Sequence, residues 1–194
     1  MKVPHEEEYT ALIKSRLDER RFYHSLCVAD SSEELALRYG ADPVKARTAG
    51  LLHDLFKNAG RDEVFGLFDR YSFRPDEITV SQKKLWHACA GALYIGYVLG
   101  LDEDVVNAVR YHTTGRAGMS LLEKVVFIAD FISADRDYPG VERVREKAER
   151  SLEEAMTEGL QFTITELCGE LKPVHPDSVA CYNELVNGGN NGKA

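Results

Sequence analysis

The residues of this chain best suited to chemistry are histidines and aspartates standing among apolar neighbours. His53-Asp54 closes the run Ala49-Gly50-Leu51-Leu52 and is followed by Leu55, Phe56 and Lys57. His24, His87 and His112 each sit in a different segment beside apolar residues, and Asp130 lies inside Val125-Val126-Phe127-Ile128-Ala129-Asp130-Phe131-Ile132. A polar group in such a setting costs roughly 2–7 kcal/mol unless something compensates it. Neutral imidazole and carboxylate are both ligands for borderline or hard divalent cations. Singly, each histidine reads as a satisfied core or surface residue, and His53-Asp54 as a hydrogen-bonded pair at a helix end. Together, four histidines on separate segments and two aspartates supply the donors for two metals bridged by a carboxylate, a centre that helix bundles commonly hold.

The elements that must position them are all helical by hydrophobic period. The pattern predicts helices over Glu6 to Arg20, Phe22 to Tyr39 with Gly40 as the stop, and Pro43 to about Phe56 behind an Asp42 cap. Arg61 to Tyr71 follows, then a loop or broken segment from Ser72 to Ser81 around Pro75. Lys83 to Leu99 carries Gly91 and Ala92 for a close helix approach, and Asp102 is expected to cap Glu103 to His112. Thr113 to Gly118 reads as a loop. Ser120 and Glu123 form a capping box opening a helix through Ile132. One long helix is expected from Val141 to about Glu170, and a last one after Pro173 and Pro176 to about Val186. The expectation is an all-α bundle, one domain over residues 1–187, with 188–194 a disordered tail.

Composition narrows the function classes. At 194 residues the chain fits one well-formed core. A formal net charge of -8 argues against a nucleic-acid-binding face. No window approaches the roughly 18 apolar residues of a membrane span, and the start lacks the apolar core of a signal peptide. Cys27, Cys89, Cys168 and Cys181 are far apart with no CxxC pair, which reads as reduced thiols in a cytoplasmic protein.

The order His24, His53-Asp54, His87, His112, Asp130 resembles the HD-domain metallohydrolase superfamily in its six-ligand, two-metal form. The segments His24-Ser25-Leu26, Ala49 to Asp54, Tyr111-His112-Thr113-Thr114-Gly115-Arg116, Ala129-Asp130 and Tyr138-Pro139-Gly140-Val141 are similar to the bacterial YqeK family. The resemblance covers about Arg21 to Val186 and implies an HD-domain bundle that hydrolyses diadenosine tetraphosphate symmetrically. It implies that His24, His53, Asp54 and Asp130 hold one metal, and Asp54, His87 and His112 the second, with iron the expected ion and manganese an alternative. Where the family usually reads Ala-Asp-Lys-Ile-Glu-Pro-x-Arg, this chain has Ala129-Asp130-Phe131-Ile132-Ser133-Ala134-Asp135-Arg136, keeping the ligand and the arginine.

In that context Asp54 and Lys57 are the expected catalytic groups. Lys57, His112, Thr113, Thr114, Gly115, Arg116 and Arg136 are the expected contacts to a dinucleoside polyphosphate, an anion that cations and loop amides would hold. His5 is expected to be exposed, His175 to be a turn residue, and Trp86, Tyr94 and Tyr111 to serve packing. The leading function is cleavage to two ADP by metal-activated water. Competing readings are a nucleotide phosphomonoesterase of the same fold, a di-iron oxygenase, and a nucleotide-binding regulatory module. A homodimer is expected from the long helix after Gly140.

Overall fold

The structure, a computed structural model, describes residues 5–190, with side chains through residue 188. Eleven helices and no strand occur among the described residues. They are α1 (Glu6–Arg16), α2 (Glu19–Tyr39), α3 (Pro43–Leu52), α4 (Arg61–Arg70), α5 (Glu77–Ser81), α6 (Lys83–Tyr97), α7 (Glu103–Tyr111), α8 (Leu121–Ile132), α9 (Val141–Ala148), α10 (Leu152–Gly169) and α11 (Pro176–Asn190). No described helix is long and apolar enough to cross a membrane.

The helix starts follow local chemistry. Asp18 accepts the Arg21 amide at 2.9 Å, and Asp42 accepts those of Val44 and Lys45 at 2.9 and 3.1 Å, so both carboxylates satisfy amides without a partner inside the helix. Gly40, at φ 82°, ends α2 in the left-handed conformation that glycine adopts freely.

α2 packs along α3 and α8, and α7 packs against α3, α6 and α8. The α2–α3 approach is very close. A Cβ at Gly50 would meet Ser32 Oγ at 2.6 Å, the Val28 carbonyl oxygen at 2.9 Å and Ala29 Cα at 3.0 Å. Gly91 likewise sits against Val109, where a Cβ would lie 3.3 Å from Cγ1. The core between these helices contains Val28, Ala29, Leu51, Leu52, Val109, Val125 and Ala129.

Six expectations need correction. The predicted first helix, Glu6 to Arg20, ends at Arg16, because Leu17 turns extended and Asp18 caps a new helix from Glu19. The predicted third helix stops at Leu52, and residues 53–58 continue as tighter turns, with Leu55 N bonded to Leu52 O and Lys57 N to Asp54 O. The segment around Pro75 contains the short helix α5, started by Asp76, which accepts from both the amide and the hydroxyl of Thr79. The long helix after Gly140 is two helices: Ser151 turns extended and its hydroxyl accepts the Glu154 amide at 3.2 Å, starting α10 anew. The uninterrupted helix on which a homodimer was expected is therefore absent from the described residues. Asp102 makes no side-chain cap bond to α7, because its carboxylate pairs with Lys45 at 2.7 Å. Of the expected disordered tail, residues 188–190 continue α11 and 191–194 lie outside the described residues.

Candidate metal centre

Five elements deliver the six donors to one place. His24 comes from α2, His53 and Asp54 from the turn after α3, His87 from α6, His112 from the end of α7 and Asp130 from α8. The four histidines and Asp54 are at most 4% exposed. The close α2–α3 contact at Gly50 sets His24 beside His53, their ring centroids 5.2 Å apart. His53 and His112 are 5.0 Å apart, and His87 and His112 4.9 Å.

Ring orientation follows from helix-end carbonyls. His53 Nδ1–H donates to the Gly50 carbonyl and His112 Nδ1–H to the Val109 carbonyl, each at 2.7 Å, which turns both Nε2 lone pairs inward. His24, His53 and Asp130 present donor atoms within 4.8 Å of one another, and so do His53, Asp54 and His112. His87 Nε2 lies 3.1 Å from Asp54 Oδ1 and 3.0 Å from His112 Nε2.

The electrostatics set a ligand-ready state. Burial pushes the His53 imidazole below its ordinary range. Burial and the Lys57 ammonium do the same for His87, and burial with the His87 and His53 imidazoles takes His112 well below. Burial alone would raise the Asp54 carboxyl, but His53, His87 and Lys57 around it hold it well below the carboxylate range. At Asp130 the Arg136 guanidinium and His24 likewise outweigh burial. His24 moves the other way: burial opposes it, yet the hydrogen bond and charge of Asp130 raise it.

This donor set fits a divalent metal pair. His53 Nε2 is buried with no hydrogen-bond partner, a costly condition that a coordinated cation removes. One His87 nitrogen faces Asp54, His112 and the Lys57 ammonium at about the same distance, 3.0–3.1 Å, more neighbours than one hydrogen bond serves. Nitrogen and carboxylate donors without thiolate suit iron, manganese or zinc.

Comparisons with known proteins point the same way. The HD domain model matches residues 21–135, a span holding all six donors. The chain belongs to the HD-domain family. It is 40% identical over 183 residues to "Bis(5'-nucleosyl)-tetraphosphatase, symmetrical" of Bacillus subtilis, covering 94% of this chain and 98% of that protein. A protein of the same description from Halalkalibacterium halodurans is 42% identical over 90% of this chain and 94% of its own length. These relatives place the chain in the YqeK branch of the family. A crystal structure from Clostridium acetobutylicum, of a "predicted HD superfamily hydrolase involved in NAD metabolism", superposes with a TM-score of 0.91. It is 33% identical and covers 96% of this chain and 99% of its own.

The remaining expected site residues of this HD-domain chain fall into two groups. Lys57 and Arg136 are at the donors. The tight turn places positions 54 and 57 on one side, so Lys57 Nζ is 3.1 Å from Asp54 Oδ1, while Arg136 Nη2 pairs with Asp130 Oδ1 and lies 3.4 Å from His24 Nε2. Thr113 Oγ1 is 3.0 Å from His112 Nε2. Thr114, Gly115 and Arg116 are engaged elsewhere. The Thr114 carbonyl accepts the Ser178 hydroxyl at 2.8 Å, and the Gly115 amide donates to the Tyr111 carbonyl at 2.8 Å beneath Cys181. Arg116 makes a bidentate pair with the buried Glu123, 2.7 Å at each bond, over the Tyr111 ring.

Of the expected bystanders, Trp86 packs in the core and donates its indole N–H to the Thr79 carbonyl at 2.8 Å, and His5 is exposed. His175 is buried and faces Asp76 at 3.1 Å, tying the start of α11 to α5. Two residues at the centre escape a sequence reading. Arg21 Nη1 donates to Asp54 Oδ2 at 3.1 Å; its only signal is its place one turn before His24 on α2. Asp135 accepts from His24 Nδ1 at 2.8 Å, and nothing in its spacing announces that.

Proposed function

We propose that this chain hydrolyses diadenosine tetraphosphate symmetrically to two ADP, at a pair of divalent metals held by His24, His53, Asp54, His87, His112 and Asp130. The observation that carries the reading is the convergence of four buried imidazoles and two carboxylates, the His53 Nε2 among them orphaned, inside a ring of three cations. When bound, such a metal pair lowers the pKa of a water toward neutrality and neutralises charge on phosphoryl oxygens. Asp54, whose Oδ1 lies 3.1–3.9 Å from donors of both sets, is read as the shared ligand.

The chain's own residues then supply position and charge, which phosphoryl transfer chiefly needs. Lys57, Arg136 and Arg21 are 25%, 34% and 37% exposed, so a polyphosphate reaches them from solvent, unlike the histidines behind them. Each is paired with a donor carboxylate, and phosphate oxygens are their natural second partner. Thr113 Oγ1 adds a hydroxyl donor at the His112 edge. Water attacks one of the two central phosphorus atoms, the central P–O bridge breaks, and each half leaves as ADP. The proton released from water passes to the leaving phosphate or to solvent. Arg116, held by Glu123, acts on substrate only through its remaining N–H groups. Iron is the metal we assign, and the cytoplasm the compartment.

The test is elemental analysis of protein purified without chelator, with chromatography of products from diadenosine tetraphosphate, for wild type and Asp54→Ala. Two metals per chain and ADP as sole product, both lost in the variant, are expected. AMP with ATP, or turnover confined to nucleoside monophosphates with release of phosphate, would refute symmetrical cleavage.

A further inference from the structure

The four histidines are not held alike. His53 and His112 give their Nδ1–H to helix carbonyls, and the His87 Nδ1 is buried without a partner. His24 alone faces a carboxylate on that side, with Asp135 Oδ2 2.8 Å from Nδ1. The carboxylate is itself fixed, because the Ser133 hydroxyl donates to Asp135 Oδ1 at 2.7 Å. Ser133 is fully buried and its amide bonds the Ala129 carbonyl at 3.0 Å, closing α8. A relay of three side chains thus runs from the end of α8 through His24 to Nε2, which stands 3.0 Å from Asp130 Oδ1. The seven residues from Asp130 to Arg136 therefore supply one donor carboxylate, its arginine partner and the carboxylate behind a second donor.

We propose that Asp135 is a positioning residue for the metal held by His24, His53 and Asp130. It holds the proton of His24 on Nδ1, fixes the ring plane and leaves Nε2 as the ligating atom, and its negative charge makes that nitrogen a stronger donor. Ligating histidines generally give their second N–H to such a partner, and removing one typically weakens metal affinity 10–100-fold. The inference rests on the metal reading of the site above, and adds a residue to it. Ser133 acts one step further back, by keeping Asp135 from rotating away.

Chelator-stripped wild type, Asp135→Asn and Asp135→Ala are titrated with manganese(II) by calorimetry. Wild type is expected to take up two ions per chain. Both variants are expected to keep one site unchanged and to weaken the other about 10–100-fold. Independently of any metal, the nitrogen-15 signals of His24 in stripped wild type at alkaline pH are expected to show the proton on Nδ1, a signature lost in Asp135→Ala. Equal affinities in all three proteins, or the proton found on Nε2 in wild type, would overturn the role of Asp135. Loss of both sites together, with a lowered melting temperature, would overturn it in favour of a general structural role. No uptake by wild type would overturn the metal reading itself.

Discussion

Replacing Gly50 by alanine asks whether the α2–α3 contact sets the spacing between His24 and His53. The new Cβ would lie 2.9 Å from the Val28 carbonyl oxygen and 3.0 Å from Ala29 Cα, about half an ångström short of ordinary contact. Both are backbone atoms. The third neighbour, Ser32 Oγ at 2.6 Å, belongs to a fully buried side chain that can yield only by turning about χ1. The helices must therefore separate, and overpacking of this kind costs about 1–3 kcal/mol. With backbone atoms in the way on two sides, the upper half of that range applies. Alanine returns about 1 kcal/mol of helix propensity, leaving a net loss of about 1–2 kcal/mol. For a chain of this length that lowers the melting temperature by roughly 2–8 °C.

The same displacement bears on the metal centre. Coordination tolerates about 0.2 Å in ligand distance, so a half-ångström separation should weaken the set formed by His24, His53 and Asp130 more than the one containing His87 and His112. Gly66→Ala is the control: it lies exposed on α4 with nothing within 4 Å of its Cβ. There alanine should raise stability by about 0.5–1 kcal/mol. Differential scanning calorimetry and manganese titration read both effects. A Gly50→Ala protein that melts at or above wild type with unchanged metal affinity would refute the argument.

Three further outcomes follow from other contacts. Arg116→Ala leaves the Glu123 carboxylate, 2% exposed, without its counter-ion and should cost about 3–5 kcal/mol in chemical denaturation; Glu123→Ala should cost less, since Arg116 is 32% exposed and can turn to water, and a reversed order would contradict this. Ser178→Ala removes the bond to the Thr114 carbonyl, for about 1 kcal/mol of stability, and should raise KM more than it lowers kcat; an unchanged KM would detach the loop at 113–116 from substrate. In metal-free protein, His53, His87 and His112 have depressed pKa values, so between those values and about 6.5 the unfolded chain binds more protons than the native one. Stability should fall as pH drops below about 6.5, with the raised His24 opposing only in part; a melting temperature that rises on acidification would refute it.

Residue type made the donors legible, because no packing reason puts imidazole and carboxylate into Leu51-Leu52-His53-Asp54 or Ile128-Ala129-Asp130. A helix start was legible where a short carboxylate precedes a proline, as at Asp42, and not at Asp18, which the hydrophobic period placed inside the first helix. The break inside residues 141–170 was not, since Glu149-Arg150-Ser151 contains neither glycine nor proline and serine is tolerated within helices.

The least legible feature is which partner a charged side chain chooses. Ser120-x-x-Glu123 reads as a capping box, and half of it forms: the Ser120 hydroxyl accepts the Glu123 amide at 3.2 Å. The other half would send the Glu123 carboxylate back to the Ser120 amide, one bond in which only the acceptor is charged. Instead it takes two bonds at 2.7 Å from Arg116, a bidentate pair in which donor and acceptor are both charged. That contest is decided by a loop that enters from α7 and is held against α11 by Ser178 and Cys181. A local motif names the donors and acceptors that are available. Tertiary approach decides between them, so Arg116 looks free in the sequence and is committed in the fold.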